Sequence, residues 1–223
     1  EFEARVQGVM SHVVFTSVTG HLYELDFTAE YRRNWAGSDP LELFDAPVVR
    51  FIPDSKAALK RNLEEEAKLA HTLVLWLDCD REGENICVEV RDCCTGSNRR
   101  LRVLRARFSA VTPRDVASAM AGLTNIKESD SEAVAARNEI DLRIGAAFTR
   151  FQTVRLFHSF PHLKEQVGAD TGSSVLSYGP CQFPTLGFVV ERWERIQAFT
   201  AEPFWSIRCE HRSLAAVPPA AGG

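Results

Sequence analysis

The feature that most constrains this chain is the run Thr72-Leu73-Val74-Leu75-Trp76-Leu77, which leads straight into Asp78-Cys79-Asp80-Arg81-Glu82-Gly83-Glu84-Asn85. An unbroken apolar run of strand length fits a parallel strand buried on both faces. Before it, Ser55–His71 places Leu59, Leu63, Ala67 and Ala70 at helical spacing with charges between them, which predicts an amphipathic helix. After it, Asn85–Arg91 reads as the start of a second helix. Leu101–Phe108 alternates Leu and Val with Arg and reads as another strand. Helix, buried strand, acidic loop, helix and strand together make an α/β signature.

The acidic loop sits at the carboxyl end of the strand, where α/β sheets place their ligands. Residues two apart in extended chain point the same way, so Asp78 and Asp80 are expected to converge. Carboxylates held that close stay ionised only with a cation between them. Oxygen donors, with no histidine or thiolate aimed at them, favour magnesium that keeps several waters. Such an ion would stabilise charge on a phosphodiester or orient it for attack. The competing reading is a solvated acidic loop, because a lone D-x-D arises often by chance. The buried strand before it, the glutamate four residues on and the glycine turn at Gly83 favour the metal.

Beyond the α/β part the texture changes. Thr112, Pro113 and Asp115 form a helix start, with a side-chain cap, a proline in the first turn and a carboxylate near the positive end of the dipole. A long alanine-rich helix is expected from about Ser131 to Phe160, ended by Pro161. Asp170–Ser174 reads as a polar loop. A last helix is expected from near Pro184, with Leu186, Val189, Val190, Trp193 and Ile196 on one face, and Trp193 reads as core. Val13–Ser17 and Glu202–Cys209 are predicted strands, and Leu214–Gly223 is an Ala/Pro/Gly tail with no means of packing.

At 223 residues and 45% apolar composition, the chain can bury a real core in one large or two modest domains. No run approaches membrane-span length, and the charged first residues are no secretory signal, which points to an intracellular protein or a missing start. The net charge of −4 does not advertise nucleic-acid binding, yet Arg99, Arg100, Arg102, Arg105, Arg107 and Arg114 crowd one segment; a solvated basic face explains that equally well. The six cysteines include no C-x-x-C pair, so structural zinc is not expected, and reduced thiols fit an intracellular setting.

The acidic motif resembles the Toprim domain shared by topoisomerases, bacterial-type primases and some nucleases. Four further segments resemble the type IA DNA topoisomerases, in that family's order over roughly residues 11–207. They are Ser17-Val18-Thr19-Gly20-His21; Arg105-Ala106-Arg107-Phe108-Ser109 with Thr112; Asp141-Leu142-Arg143-Ile144-Gly145-Ala146-Ala147-Phe148-Thr149-Arg150; and Gly179-Pro180-Cys181-Gln182-Phe183-Pro184-Thr185-Leu186-Gly187. The likeness is to the topoisomerase III family, within its eukaryotic alpha group. It implies an α/β Toprim domain over 1–110, a mostly α-helical, winged-helix-like domain over 111–197, and the start of a gate domain in 198–223.

By that resemblance Asp78, Asp80 and Glu82 are the magnesium-binding triplet, with Glu82 also catalytic. His21 is a proton donor or phosphate contact, or else an ordinary turn histidine. Arg81, Arg105, Arg137, Arg143, Arg150 and Gln182 are expected to contact single-stranded DNA. Arg143 and Arg150, seven apart, could instead form a solvated stripe, and Gln182 could be plain helix entry. The family cuts DNA with a tyrosine in a Tyr-x-Arg-Thr setting. Tyr23, Tyr31 and Tyr178 are the only tyrosines here and none has it, so the chain alone is expected to be inactive. A nucleus-located enzyme working in recombination and repair with a RecQ-type helicase and an OB-fold partner is the family's expectation. The rivals are a Toprim nuclease or primase and a non-catalytic DNA-binding fragment.

Overall fold

The predicted helix before the buried strand forms as α2 (Ala57–Leu69). It turns Leu63 and Ala67 fully inward, with Leu59 and Ala70 packed beside them. The computed structural model describes residues 1–6, 8–33, 35, 39–171 and 175–211. These fall into one compact unit over Glu1–Phe183 and a second that starts at Pro184.

In the first unit, β1 (Phe2–Val6) and β2 (Val9–Val13) form an antiparallel hairpin. The strand expected at Val13–Ser17 therefore ends where it was thought to begin, and Val14–Ser17 has no regular structure. A second antiparallel pair joins β3 (Glu24–Phe27) to β4 (Val48–Phe51), with the short helix α1 (Ala29–Arg33) and a 3-10 turn at Pro40–Phe44 between them. The apolar run forms β5 (Thr72–Leu75), whose one strand partner among the described residues is β6 (Arg102–Arg105), in parallel. With a neighbour on one side among those residues, Leu75 is buried while Leu73 and Val74 are half-buried. The expectation of full burial on both faces is not met.

Helix α3 (Arg81–Ser97) starts four residues earlier than the sequence suggested, because the Asp80 side chain caps it by accepting from the Gly83 N–H. It packs against α2 and against the long helix α5 (Glu128–Ser159). Cys87, Val90, Cys93 and Cys94 on α3 join Leu63, Ala67 and Leu75 in the main core. A smaller core gathers Phe27, Leu43, Ala46 and Ala147, fastening α5 to the β3–β4 segment. Helix α4 (Pro113–Ala121) begins as predicted, with the Thr112 hydroxyl accepting from the Asp115 N–H.

Pro161 does end α5, since the residue before a proline is driven out of helical geometry and Phe160 sits at φ −136°. The chain then re-enters helix immediately as α6 (Pro161–Thr171). Asp170 thus belongs to a helix and not to the expected polar loop, and residues 172–174 lie outside the described residues. Helix α7 (Gln182–Gln197) starts two residues before Pro184.

In the second unit the face expected to be core is open: Leu186, Val189, Val190 and Ile196 are exposed, and Trp193 is 60% exposed. Core burial of Trp193 is therefore corrected. Glu202–Cys209 forms no strand. The tail at Leu214–Gly223 lies outside the described residues.

Candidate functional site

The acidic loop rests on a buried arginine. Arg105, at the end of β6, is 0% exposed. Its guanidinium donates to the backbone carbonyls of Asp78 at 2.6 Å, Ala106 at 2.6 Å and Leu75 at 3.3 Å, and to Glu84 Oε1 at 3.0 Å. An unpaired buried charge would be costly, and here each charge finds several partners. Glu84, 1% exposed, also receives Arg107 at 3.1 Å and the Lys127 N–H at 2.9 Å, which ties the loop to the start of α5. The Cys79 thiol sulfur accepts from the Phe108 N–H at 3.1 Å. Arg105 is thus a strut beneath the loop, with its donors turned inward.

Gly83 makes the tight turn possible. A Cβ there would stand 2.0 Å from the Asp78 carbonyl oxygen. Gly20, at φ 75°, occupies the left-handed region that glycine tolerates and delivers His21 to the side of α3.

On this scaffold Asp78 and Asp80 are exposed at the tip of β5. Asp80 Oδ1 accepts from the Gly83 N–H at 2.7 Å. Glu82 has two neighbours of its own: Oε1 pairs with Arg137 Nη1 at 2.5 Å and Oε2 meets His21 Nε2 at 3.2 Å. The other ring nitrogen of His21 lies 3.2 Å from Glu89 Oε1, and Lys56 donates to the His21 carbonyl. Among the described residues no three carboxylate, histidine or thiol groups converge into a ready metal cage. The donors left open, two aspartates at a strand tip, have the chemistry of a hard cation that keeps most of its waters.

Of the other expected contacts, Arg81 is exposed on the first turn of α3, and Arg137 is exposed on α5 beside Glu82. Arg143 and Arg150 do share a face of α5, but it turns inward. Arg143 donates to the carbonyls of Leu43 and Ala46 at 3.0 and 2.9 Å and to Glu139. Arg150 is 4% exposed, donates to the Tyr31 carbonyl and lies over the Trp35 ring at 5.3 Å. Burial pushes its pKa down, partly offset by Asp26. Both arginines tie α5 to the β3–β4 segment, so any contact with DNA would come on top of these bonds. Gln182 is exposed and lines a cavity of about 300 Å³ with Asp141, Gly145, Tyr178, Gly179, Pro180 and Cys181. Tyr178 is wedged between Phe148 and Phe183, with ring centroids at 5.0 and 4.8 Å.

Sequence reasoning missed Glu89 and Asn85. They follow Glu82 by seven and three residues, so all three lie along one face of α3. Asn85 Nδ2 donates to Glu89 Oε1 at 3.3 Å, and its Oδ1 accepts from the Ser131 hydroxyl at 2.8 Å. The signal was slight: Glu89 stands between Val88 and Val90 in the helix, and a carboxylate buried there needs partners.

Comparison with known proteins adds the family. Residues 4–111 match the Toprim domain, and residues 125–217 match a model described as DNA topoisomerase. The chain is 50% identical over 213 residues to DNA topoisomerase 3-alpha of Arabidopsis thaliana, covering 96% of this chain and 23% of that protein. It is 47% identical over 212 residues to DNA topoisomerase 3-alpha of Homo sapiens, covering 95% and 20%. This chain is a homologue of the type IA topoisomerase III enzymes. It spans about a fifth to a quarter of the length of these relatives. Full-length topoisomerase I from Thermotoga maritima matches at 25% identity and a TM-score of 0.49, over 81% of this chain and 26% of that one. The topoisomerase match over 125–217 is what a Toprim nuclease or primase leaves unexplained. Among the described residues no helix is long and apolar enough to cross a membrane.

Proposed function

We propose that this topoisomerase III homologue holds magnesium at Asp78 and Asp80, with Glu82 beside them, against the backbone of single-stranded DNA. The observation that carries the reading is the pair of exposed aspartates in the loop after β5, with Glu82 on the first turn of α3 and its partners His21 and Arg137 alongside. When bound, the ion supplies charge stabilisation at a phosphodiester. The chain's own residues do the rest. Arg105 and Gly83 fix the loop, and Arg81 and Arg137 offer exposed guanidinium groups to phosphate. Gln182, at the start of α7, offers an amide where a helix amino terminus already favours phosphate oxygens. His21 stands within reach of the same centre as a proton donor or phosphate contact.

In the whole enzyme this would form one side of a strand-passage site, opposite a tyrosine that makes the covalent phosphotyrosine. We assign that work to none of the three tyrosines: Tyr178 is packed between two phenylalanines, Tyr23 lies under Arg50, whose guanidinium is 4.0 Å from its ring centroid, and Tyr31 packs against the small core of Phe27 and Leu43. The boundaries 1–110, 111–197 and 198–223 are part of the same proposal. So are nuclear location, roles in recombination and repair, and association with a RecQ-type helicase and an OB-fold partner; these follow from family resemblance alone.

Incubating the chain with magnesium and a labelled single-stranded oligonucleotide tests the reading. A magnesium-dependent complex that denaturant dissociates completely is expected. A denaturant-resistant adduct, or affinity indifferent to magnesium, would contradict it.

A further inference from the structure

Glu89 is 3% exposed in the middle of α3, and burying a carboxylate there is costly unless its oxygens are well supplied with donors. They are. Oε2 accepts from the Leu22 N–H at 2.7 Å, while Oε1 faces His21 Nδ1 at 3.2 Å, the Asn85 amide at 3.3 Å and Arg50 Nη2 at 3.6 Å. One side chain therefore grips both the backbone next to His21 and the ring itself. Loop anchoring would need only the Leu22 contact. The second oxygen, aimed at the ring, needs another explanation.

We propose that Glu89 is the positioning residue for His21: its carboxylate keeps a proton on Nδ1 and turns Nε2 toward Glu82 and the acidic loop. An ionised carboxylate can only accept, so Nδ1 donates to Glu89, which is nearer to it than the Asn85 amide at 3.5 Å. Nε2 faces Glu82 at the same 3.2 Å, but the Glu82 side chain is 36% exposed against 4% for that of Glu89, so the inner contact is the one that water cannot replace. A partner at one ring nitrogen decides the role of the other. With Nδ1 committed inward, Nε2 is the nitrogen left to exchange partners when a phosphate arrives beside Glu82. The inference rests on the reading above that His21 serves the acidic centre, but its own content, where the proton sits and what holds it there, is separately measurable.

The test is the ¹⁵N resonance of each His21 ring nitrogen in the 223-residue chain, at one neutral pH, for wild type and Glu89→Gln. In the variant the Leu22 N–H still demands an oxygen, so the amide NH2 is left facing Nδ1, which must then accept. A protonated Nδ1 in wild type and an unprotonated one in Glu89→Gln are expected. An unprotonated Nδ1 in wild type overturns the proposal whether or not the variant folds, and an unchanged Nδ1 in a folded variant overturns it too. A purely structural Glu89 would leave the proton where it was. Single-strand affinity of His21→Ala separates the two levels. A fall supports the role of His21 at the centre, whereas no change defeats that role and leaves the proton placement to stand on the spectra.

Discussion

Gly83 shows how little freedom the acidic loop has. Any side chain at this position meets the Asp78 carbonyl at 2.0 Å, and both partners are pinned, one by the α3 cap and the other by Arg105. Gly83→Ala is therefore expected to cost on the order of 3 kcal/mol, read from the urea midpoint; a loss below about 0.5 kcal/mol would show that the loop can yield.

The arginines make a sharper contrast at the same scale. Removing Arg105 leaves Glu84 buried with a weakened partner set, so Arg105→Met should destabilise by roughly 3–5 kcal/mol. Arg137 and Glu82 are both partly solvated, and Arg137→Ala should cost about 1 kcal/mol or less. It should still weaken single-strand binding and lower the salt slope by about one unit. Equal effects of the two substitutions on stability would contradict these assignments. The sequence does not say which of the two is buried: Arg105 stands among other arginines, and Arg137 near Glu132, Glu139 and Asp141. Burial by β6 and Thr124, whose backbone pairs with that of Arg105, is a tertiary fact.

Among the elements, α3 carries most of the consequence. Its outer turns present Glu82 and its centre holds Glu89, while its inner face places Cys87, Cys93 and Cys94 in the core. Burial pushes the thiols of Cys87 and Cys94 from 9.0 up to about 12. A group whose pKa is raised by folding stabilises the native state below its unfolded pKa and loses that contribution as pH climbs through the folded one. The urea midpoint should therefore fall steadily between about pH 9 and about pH 12, and replacing both thiols by alanine should flatten that slope. An unchanged slope would mean that other groups set it.

Element by element, α2, α4 and the start of α6 follow local signals: apolar spacing, a threonine cap and a proline. The α7 face failed as a core because periodicity reports that a face is apolar, not that something covers it. Likewise β5 looked fully buried because the run says nothing about how many neighbours it has.

At the scale of the molecule, the topoisomerase III relationship was legible in five ordered motifs, and identities of 50% and 47% to two topoisomerase 3-alpha proteins bear it out. Less legible was which motif residues touch DNA and which hold the molecule together. Arg105 and Arg143 stand in motif segments yet give donors to carbonyls inside the fold, and Arg150 gives Nη2 to the Tyr31 carbonyl while its buried Nη1 has no partner among the described residues; a guanidinium that gathers backbone acceptors and one that gathers phosphate are the same residue in sequence. The central claim remains that two aspartates at one strand tip hold magnesium. Calorimetric titration of magnesium into wild type and into the double variant Asp78→Asn, Asp80→Asn measures it directly. Saturable binding in the wild type that falls at least about tenfold in the folded variant is predicted, as for loss of primary ligands; equal isotherms would contradict it.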